Sequence, residues 1–240
     1  MNRKTAKNFL ASVAKKYAEA LKIEDSKGNK KLIRGRSKAI GNAFEDMFAV
    51  FVWRRLKQRK GLYIFVDLCL SVPKTSKESR KPLIYPDILL CKKTNKNCME
   101  IVYMCEVKCN IGWKRCLVKE ADVYINRIVD FRKRKEASAK IVNRKKSVDL
   151  GDVESKEYKF TFNKNIKYDV VLLTSDNANI KNTDEVVKNY DSNSCKTRIF
   201  VLTDDVINMK GCERFDFTPR MDEPGGFNAF EKRLKEVQSI

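Results

Sequence analysis

The sequence predicts an α/β domain with a central mixed β-sheet flanked by helices. Three observations carry this. The apolar runs Leu83–Cys91 and Met99–Lys108 are nearly continuous, as in strands covered on both faces. Segments with helical periodicity precede and follow them. The order of elements is α-α-β-β-β-α-β-β-α, with no internal repeat and no linker strong enough to split the chain.

The first helix spans residues 5–22, where Phe9, Leu10, Val13, Ala14, Tyr17, Ala18 and Leu21 recur at helical spacing. A Gly/Lys-rich loop follows. A second helix runs from Ser37, an N-cap, to Gln58, with Ile40, Ala43, Phe44, Met47, Phe48 and Phe51 on its apolar side, and Gly61 ends it. Three strands come next: Leu62–Leu70, Leu83–Cys91 and Met99–Lys108. The polar connections Lys74–Lys81 and Lys92–Asn97 have hairpin length, so the three should pair antiparallel. Leu117–Lys135 reads as a helix, and a basic stretch poor in apolar residues continues to about Lys156. Strands at Tyr168–Thr174 and Arg198–Thr203 and a helix from Asn228 complete the chain. The expected organisation is a single domain over 1–240: an N-terminal helix and basic loop (1–36), a core (37–205), and a C-terminal loop and helix (206–240).

The 240 residues include 51 Lys+Arg against 31 Asp+Glu, a formal net charge of +20. Such self-repulsion in one folded unit calls for a polyanionic partner, nucleic acid before an acidic membrane surface. Lys15 and Lys16 interrupt the first apolar segment, so it reads as an amphipathic helix and not a signal peptide, and a cytoplasmic protein without membrane association is expected. The eight cysteines should then be free thiols. Cys91, Cys98, Cys105, Cys109 and Cys116 crowd the middle of the chain. No C-x-x-C pair is present, so they read as small buried hydrophobes and not as zinc or iron–sulfur ligands. There is no histidine. That removes Ser-His-Asp and Cys-His hydrolysis and histidine metal sites, and leaves carboxylates, lysine, cysteine and tyrosine for any catalysis.

Polar residues interrupt the apolar strands at two places. Asp87 lies in Ile84-Tyr85-Pro86-Asp87-Ile88-Leu89-Leu90, and Glu106 and Lys108 end the run Ile101–Lys108. Strand side chains alternate, so Glu106 and Lys108 share a face, about 7 Å apart. Two carboxylates on adjacent strands repel, and burying either is costly. A divalent cation between them relieves both problems, and oxygen ligands suit Mg²⁺ or Mn²⁺. The bland alternative is a Glu106–Lys108 pair at a strand end.

Pro86-Asp87, eighteen residues, then Glu106-Val107-Lys108 resembles the signature of the PD-(D/E)XK nuclease superfamily. The order of elements over residues 37–205 is similar to that superfamily's restriction endonuclease-like αβββαβ core. Gly41-x-x-Phe44-Glu45 is similar to the helical motif that supplies a further carboxylate there. Helical periodicity does not separate Glu45 from Asp46; the resemblance favours Glu45. The resemblance implies catalytic residues Asp87, Glu106, Lys108 and Glu45. It implies Mg²⁺, with Mn²⁺ as a substitute, held by Asp87, Glu106, the Val107 carbonyl and Glu45, the last directly or through water. It also implies cleavage leaving 5′-phosphate and 3′-hydroxyl ends. A polar residue from the following helix often lies nearby, and Lys119 and Asn126 both qualify.

Phosphate contacts are expected from the run holding Arg132, Lys133, Arg134, Lys135, Arg144, Lys145 and Lys146, and from the basic loop with Arg34 and Arg36. Arg214, Arg220 and the Pro224-Gly225-Gly226 loop offer a third contact. The function expected is a Mg²⁺-dependent endonuclease of double-stranded DNA, a type II restriction endonuclease of a restriction-modification pair, acting as a homodimer because symmetric sites match symmetric proteins. The alternatives are a repair, junction-resolving or phage nuclease on the same fold, and a nucleic-acid-binding protein without catalysis.

Overall fold

A computed structural model describes residues 1–21, 39–56, 61–74, 76, 82–108, 126, 128–131, 133–134, 136–142, 155–174, 197–205, 217–222 and 225–239. Two helices, α1 (Arg3–Leu21) and α2 (Ala39–Arg55), precede eight strands: β1 (Leu62–Val66), β2 (Leu70–Ser71), β3 (Leu83–Ile84), β4 (Ile88–Asn95), β5 (Cys98–Lys108), β6 (Glu136–Val142), β7 (Ser155–Thr174) and β8 (Arg198–Thr203). Helix α3 (Phe227–Gln238) follows. Residues 128–131 are also helical.

The strands form one open, mixed sheet in the order β1-β4-β5-β7-β6-β2-β3, with β8 beside β7. Most pairs are antiparallel; β5–β7 and β7–β8 are parallel. β7 is shared along its length, its first half pairing with β6 and its second half with β8.

Each face of the sheet carries an apolar core. On one face α1, α2 and α3 pack over Ile88, Leu90, Tyr103, Cys105, Val107, Val171, Leu173, Phe200 and Leu202. A cluster of phenylalanines joins the three helices: Phe9 lies 4.6 Å from Phe51 and Phe48 lies 5.2 Å from Phe230, between ring centroids. On the other face Ile128 and Phe131 join Leu89, Met104, Phe160, Tyr168, Val170 and Val201. Residues 88–91 and 99–107 are buried throughout apart from Glu100, as their continuous apolar character requires.

Several boundaries differ from expectation, each for a local reason. The segment Leu83–Cys91 is two strands. Pro86 has no N–H to give to a ladder, so the pairing breaks there: Leu83–Ile84 pairs with β2 while Ile88 onward pairs with β1 and β5. The segment Leu62–Leu70 breaks likewise at Asp67, which has a left-handed φ of 52°. An aspartate tolerates that region at modest cost. The two breaks face each other, and the Asp67 N–H donates to the Asp87 carbonyl at 3.0 Å. The hairpin thus bends at Asp67 and Asp87, and β2 turns away to pair with β6 at Ser71–Ser138. Strand β6 falls within the basic stretch poor in apolar residues, to which the sequence assigns no element. β7 begins at Ser155, well before Tyr168, and the alternation Tyr158, Phe160, Phe162 marks its early half. The third predicted helix is described only from 126 to 133, in part.

Gly225 and Gly226 are a tight turn and not a loose loop. Gly225 has φ 83°, and a Cβ on Gly226 would sit 2.5 Å from the Arg220 carbonyl oxygen. That close approach lets the Phe227 N–H reach the Arg220 carbonyl at 2.8 Å and starts α3.

Candidate active site

The bend in the hairpin builds the site. Ile88 pairs with Cys105, so the next residue outward, Asp87, lies opposite Glu106 on the neighbouring strand. Their shared face also carries Lys108, two residues further along β5. The Asp87 carboxylate Oδ2 accepts the Val107 backbone N–H at 2.7 Å, which fixes its orientation. Lys108 Nζ bridges the two acids, 2.5 Å from Glu106 Oε1 and 3.1 Å from Asp87 Oδ2. The side chains are 13% (Asp87), 9% (Glu106) and 29% (Lys108) exposed, so this is a largely desolvated trio open on one side. Burial weakens the hold of the Lys108 ammonium on its proton. Glu106, then Asp87, outweigh burial and hold that proton above the ordinary lysine range.

Glu45, half-buried near the start of α2, completes the group. Burial and then the Asp87 carboxylate push its pKa up to about 7, with Lys108 opposing and Asp67 and Glu106 adding to the rise. These influences place Glu45 within electrostatic reach of the trio. Asp46 is exposed and turns to the outer surface beside Val50. The two candidates that periodicity leaves open thus face different ways.

Asp67 is an acid that sequence reasoning passes over. It lies just past the end of β1, where its backbone N–H bonds the carbonyl of Asp87, which stands just before β4. Its signal was present in Phe65-Val66-Asp67-Leu68, another acid closing an apolar run. Among the described residues no three acidic or thiol side chains converge to hold a metal ion as they stand. Asp87 and Glu106 converge instead on the Lys108 ammonium.

The raised pKa of Glu45 has a consequence for folding. Its folded value, about 7, exceeds the unfolded one, so the group favours folding below pH 4.5 and loses that contribution as pH climbs toward 7. The full shift corresponds to about 3 kcal/mol. Partial solvent exposure reduces this to about 1–2 kcal/mol. Glu45→Gln should therefore stabilise the metal-free protein by about 1–2 kcal/mol at pH 8 and by almost nothing at pH 4. Urea denaturation in EDTA at both pH values checks this, and an equal effect at both would show that neither burial nor the neighbouring acids raise Glu45.

The other expected site residues are dispersed. Asn126 is exposed on the short helical stretch. Lys133 is exposed at its end. Arg134 is engaged within the fold: it pairs with Asp130 at 2.8 Å and donates to the Pro73 carbonyl at 2.8 Å. Arg220 is buried and pairs with Asp204 at 3.3 Å. Lys119, Arg132, Lys135, Arg144, Lys145, Lys146, Arg34, Arg36, Arg214 and Pro224 lie outside the described residues. Cys69, Cys91, Cys98 and Cys105 are free thiols, and burial pushes Cys91 and Cys105 well above the usual thiol range. No helix among the described residues is long and apolar enough to cross a membrane.

Comparison with protein-family models, with curated proteins and with solved structures gave no match to this chain.

Proposed function

We propose that the chain is a metal-dependent endonuclease of double-stranded DNA, working at Asp87, Glu106, Lys108 and Glu45 on a restriction endonuclease-like core. The observation that carries this reading is the Lys108 ammonium set between two desolvated carboxylates at the hairpin corner. One ammonium against two carboxylates leaves the trio net negative, which would repel a phosphate backbone unless a further cation joined it. The order α2, an antiparallel β1-β4-β5 set, then a parallel β7 supports the same reading.

The donor set fits Mg²⁺ or Mn²⁺. Asp87, Glu106 and Glu45 supply hard oxygens, and after burial the Asp87 carboxylate is what most raises Glu45, which places the three acids within reach of one another. Asp87 and Glu106 would hold the ion, with the Val107 carbonyl and Glu45 as further donors. The ion, when bound, polarises a phosphate and acidifies a bound water. The Lys108 ammonium, which now bridges the two acids, would orient a water and offset negative charge on the transition state. The Val107 N–H holds Asp87 in place throughout. Basic residues, Lys133 among them, hold the duplex by its phosphates.

The test is single-turnover cleavage of plasmid DNA in Mg²⁺ or EDTA, with a binding curve in Ca²⁺. Lys108→Ala should slow cleavage by about 10²–10³-fold. DNA affinity should change far less, because one cation among many makes a small share of the phosphate contacts. Intact DNA with wild-type protein, or a variant within a few-fold of wild type, would overturn the reading. Discrete fragments would mark a site-specific enzyme and a smear a general nuclease.

A further inference from the structure

The outer side of α2 differs from the rest of this cationic surface. Asp46, Val50 and Arg54 are all exposed and stand four residues apart, forming one ridge along the helix. A groove runs on each side of it. One lies between α1 and α2, floored by Phe9, Met47 and Phe51. The other lies between α2 and β1, lined by Ala49, Trp53, Tyr63 and Val66. Asp46 and Val50 border both grooves. Val50 is 49% exposed, Tyr63 40% and Val66 37%, three of the five exposed large hydrophobics among the described residues, gathered in one place.

We infer that this ridge and its grooves form a self-association surface, and that its occupant is a second copy of the same chain related by a two-fold axis beside Val50. The ridge is self-complementary. Turned antiparallel about Val50, Asp46 of each copy meets Arg54 of the other, while Val50 meets Val50. A two-fold interface uses the same patch on both partners, which this charge order permits and a parallel arrangement does not. A polyanion is a poor occupant, because Asp46 offsets Arg54 on the ridge, Arg55 pairs with Glu231 at 3.8 Å, and Asp46 is the charged residue bordering the groove beside β1. Val50 and Val66 lie on the sheet face that carries α2, opposite to the face that Glu106 and Lys108 share, while Glu45, next to Asp46 on the same helix, stands at the margin of the patch. The inference does not rest on nuclease activity.

The experiment is sedimentation velocity of the full chain, without DNA and in EDTA, over a wide range of protein concentration and at two salt concentrations. Wild type should form a dimer, tighter at high salt because screening relieves repulsion between two +20 chains. Val50→Glu should raise the dissociation constant at least about tenfold by placing like charges at the axis. Asp46→Arg should do the same by facing Arg54, and Asp46→Arg combined with Arg54→Asp should restore the dimer by exchanging the two signs. Circular dichroism confirms that each variant is folded, and the charge pair serves as the test if Val50→Glu is not. Wild type that stays monomeric, single variants that dimerise like wild type, or a double variant that fails to recover would each overturn the inference.

Discussion

Asp87→Asn should abolish cleavage, by at least about a thousandfold, while leaving the fold and DNA binding intact. A metal-bound carboxylate contributes several kcal/mol of charge stabilisation at the transition state, and an amide cannot replace it. The substitution is mild for the rest of the site. An asparagine oxygen can still accept the Val107 N–H that Asp87 now holds at 2.7 Å. Lys108 keeps Glu106 at 2.5 Å. The chain loses one negative charge beside the duplex, so affinity should be equal or higher. Glu106→Gln should behave the same way. Single-turnover cleavage with a parallel binding curve and a melting curve separates the outcomes. Near wild-type cleavage by either variant would remove the metal site from the mechanism. Cleavage lost together with stability would make the trio a structural element.

The second large effect lies in the core. Asp169, in the β7 run Tyr168-Asp169-Val170-Val171, is wholly buried and holds Arg233 of α3 through two bonds, of 2.7 and 2.8 Å. It also accepts the Arg198 N–H at 2.9 Å. Arg233→Met should destabilise the protein by about 3–5 kcal/mol, since it leaves a buried carboxylate without its cation. The double change Asp169→Leu with Arg233→Met should cost much less, because no charge is left stranded. Urea denaturation of both variants measures this. A double variant no more stable than the single one would show that Arg233 acts through packing.

This pair also shows why the site was only partly legible in the sequence. An acid inside an apolar strand singles out Asp87 and Glu106, and the structure does bring them together with Lys108. The same signal occurs at Asp169, where the partner is an arginine 64 residues away in sequence. Local pattern reports that a buried carboxylate needs a counter-charge. It does not report whether a fixed side chain or a mobile ion provides it, because that depends on which helix packs over the strand. Strands β5 and β8 were legible because burial on both faces demands continuous apolar residues. β6 was not: Glu136-Ala137-Ser138-Ala139-Lys140 buries only two alanines, and its pairing with β7 is what makes it a strand. The choice between Glu45 and Asp46 also needed the structure, since adjacent residues on a helix differ by about 100° and either could face the sheet.

One irregularity of the sheet separates its two ends. Ile101 pairs with Phe162 and Tyr103 with Lys167, so Val102 alone stands opposite the four residues Asn163–Ile166. The β4–β5 register slips at the same level, between Leu90 and Cys91. A bulge bends a strand and absorbs a mismatch in length. The slips form a crease across three neighbouring strands, with Asp87, Glu106 and Lys108 on one side and the Asn95–Cys98 turn on the other. The crease works as an expansion joint. A residue gained or lost at that turn shifts the pairing of the distal plate, and the joint keeps the shift from reaching the strand ends where the acids meet. The distal and proximal halves of the sheet thus keep separate registers, and the two carboxylates and the lysine share the proximal one.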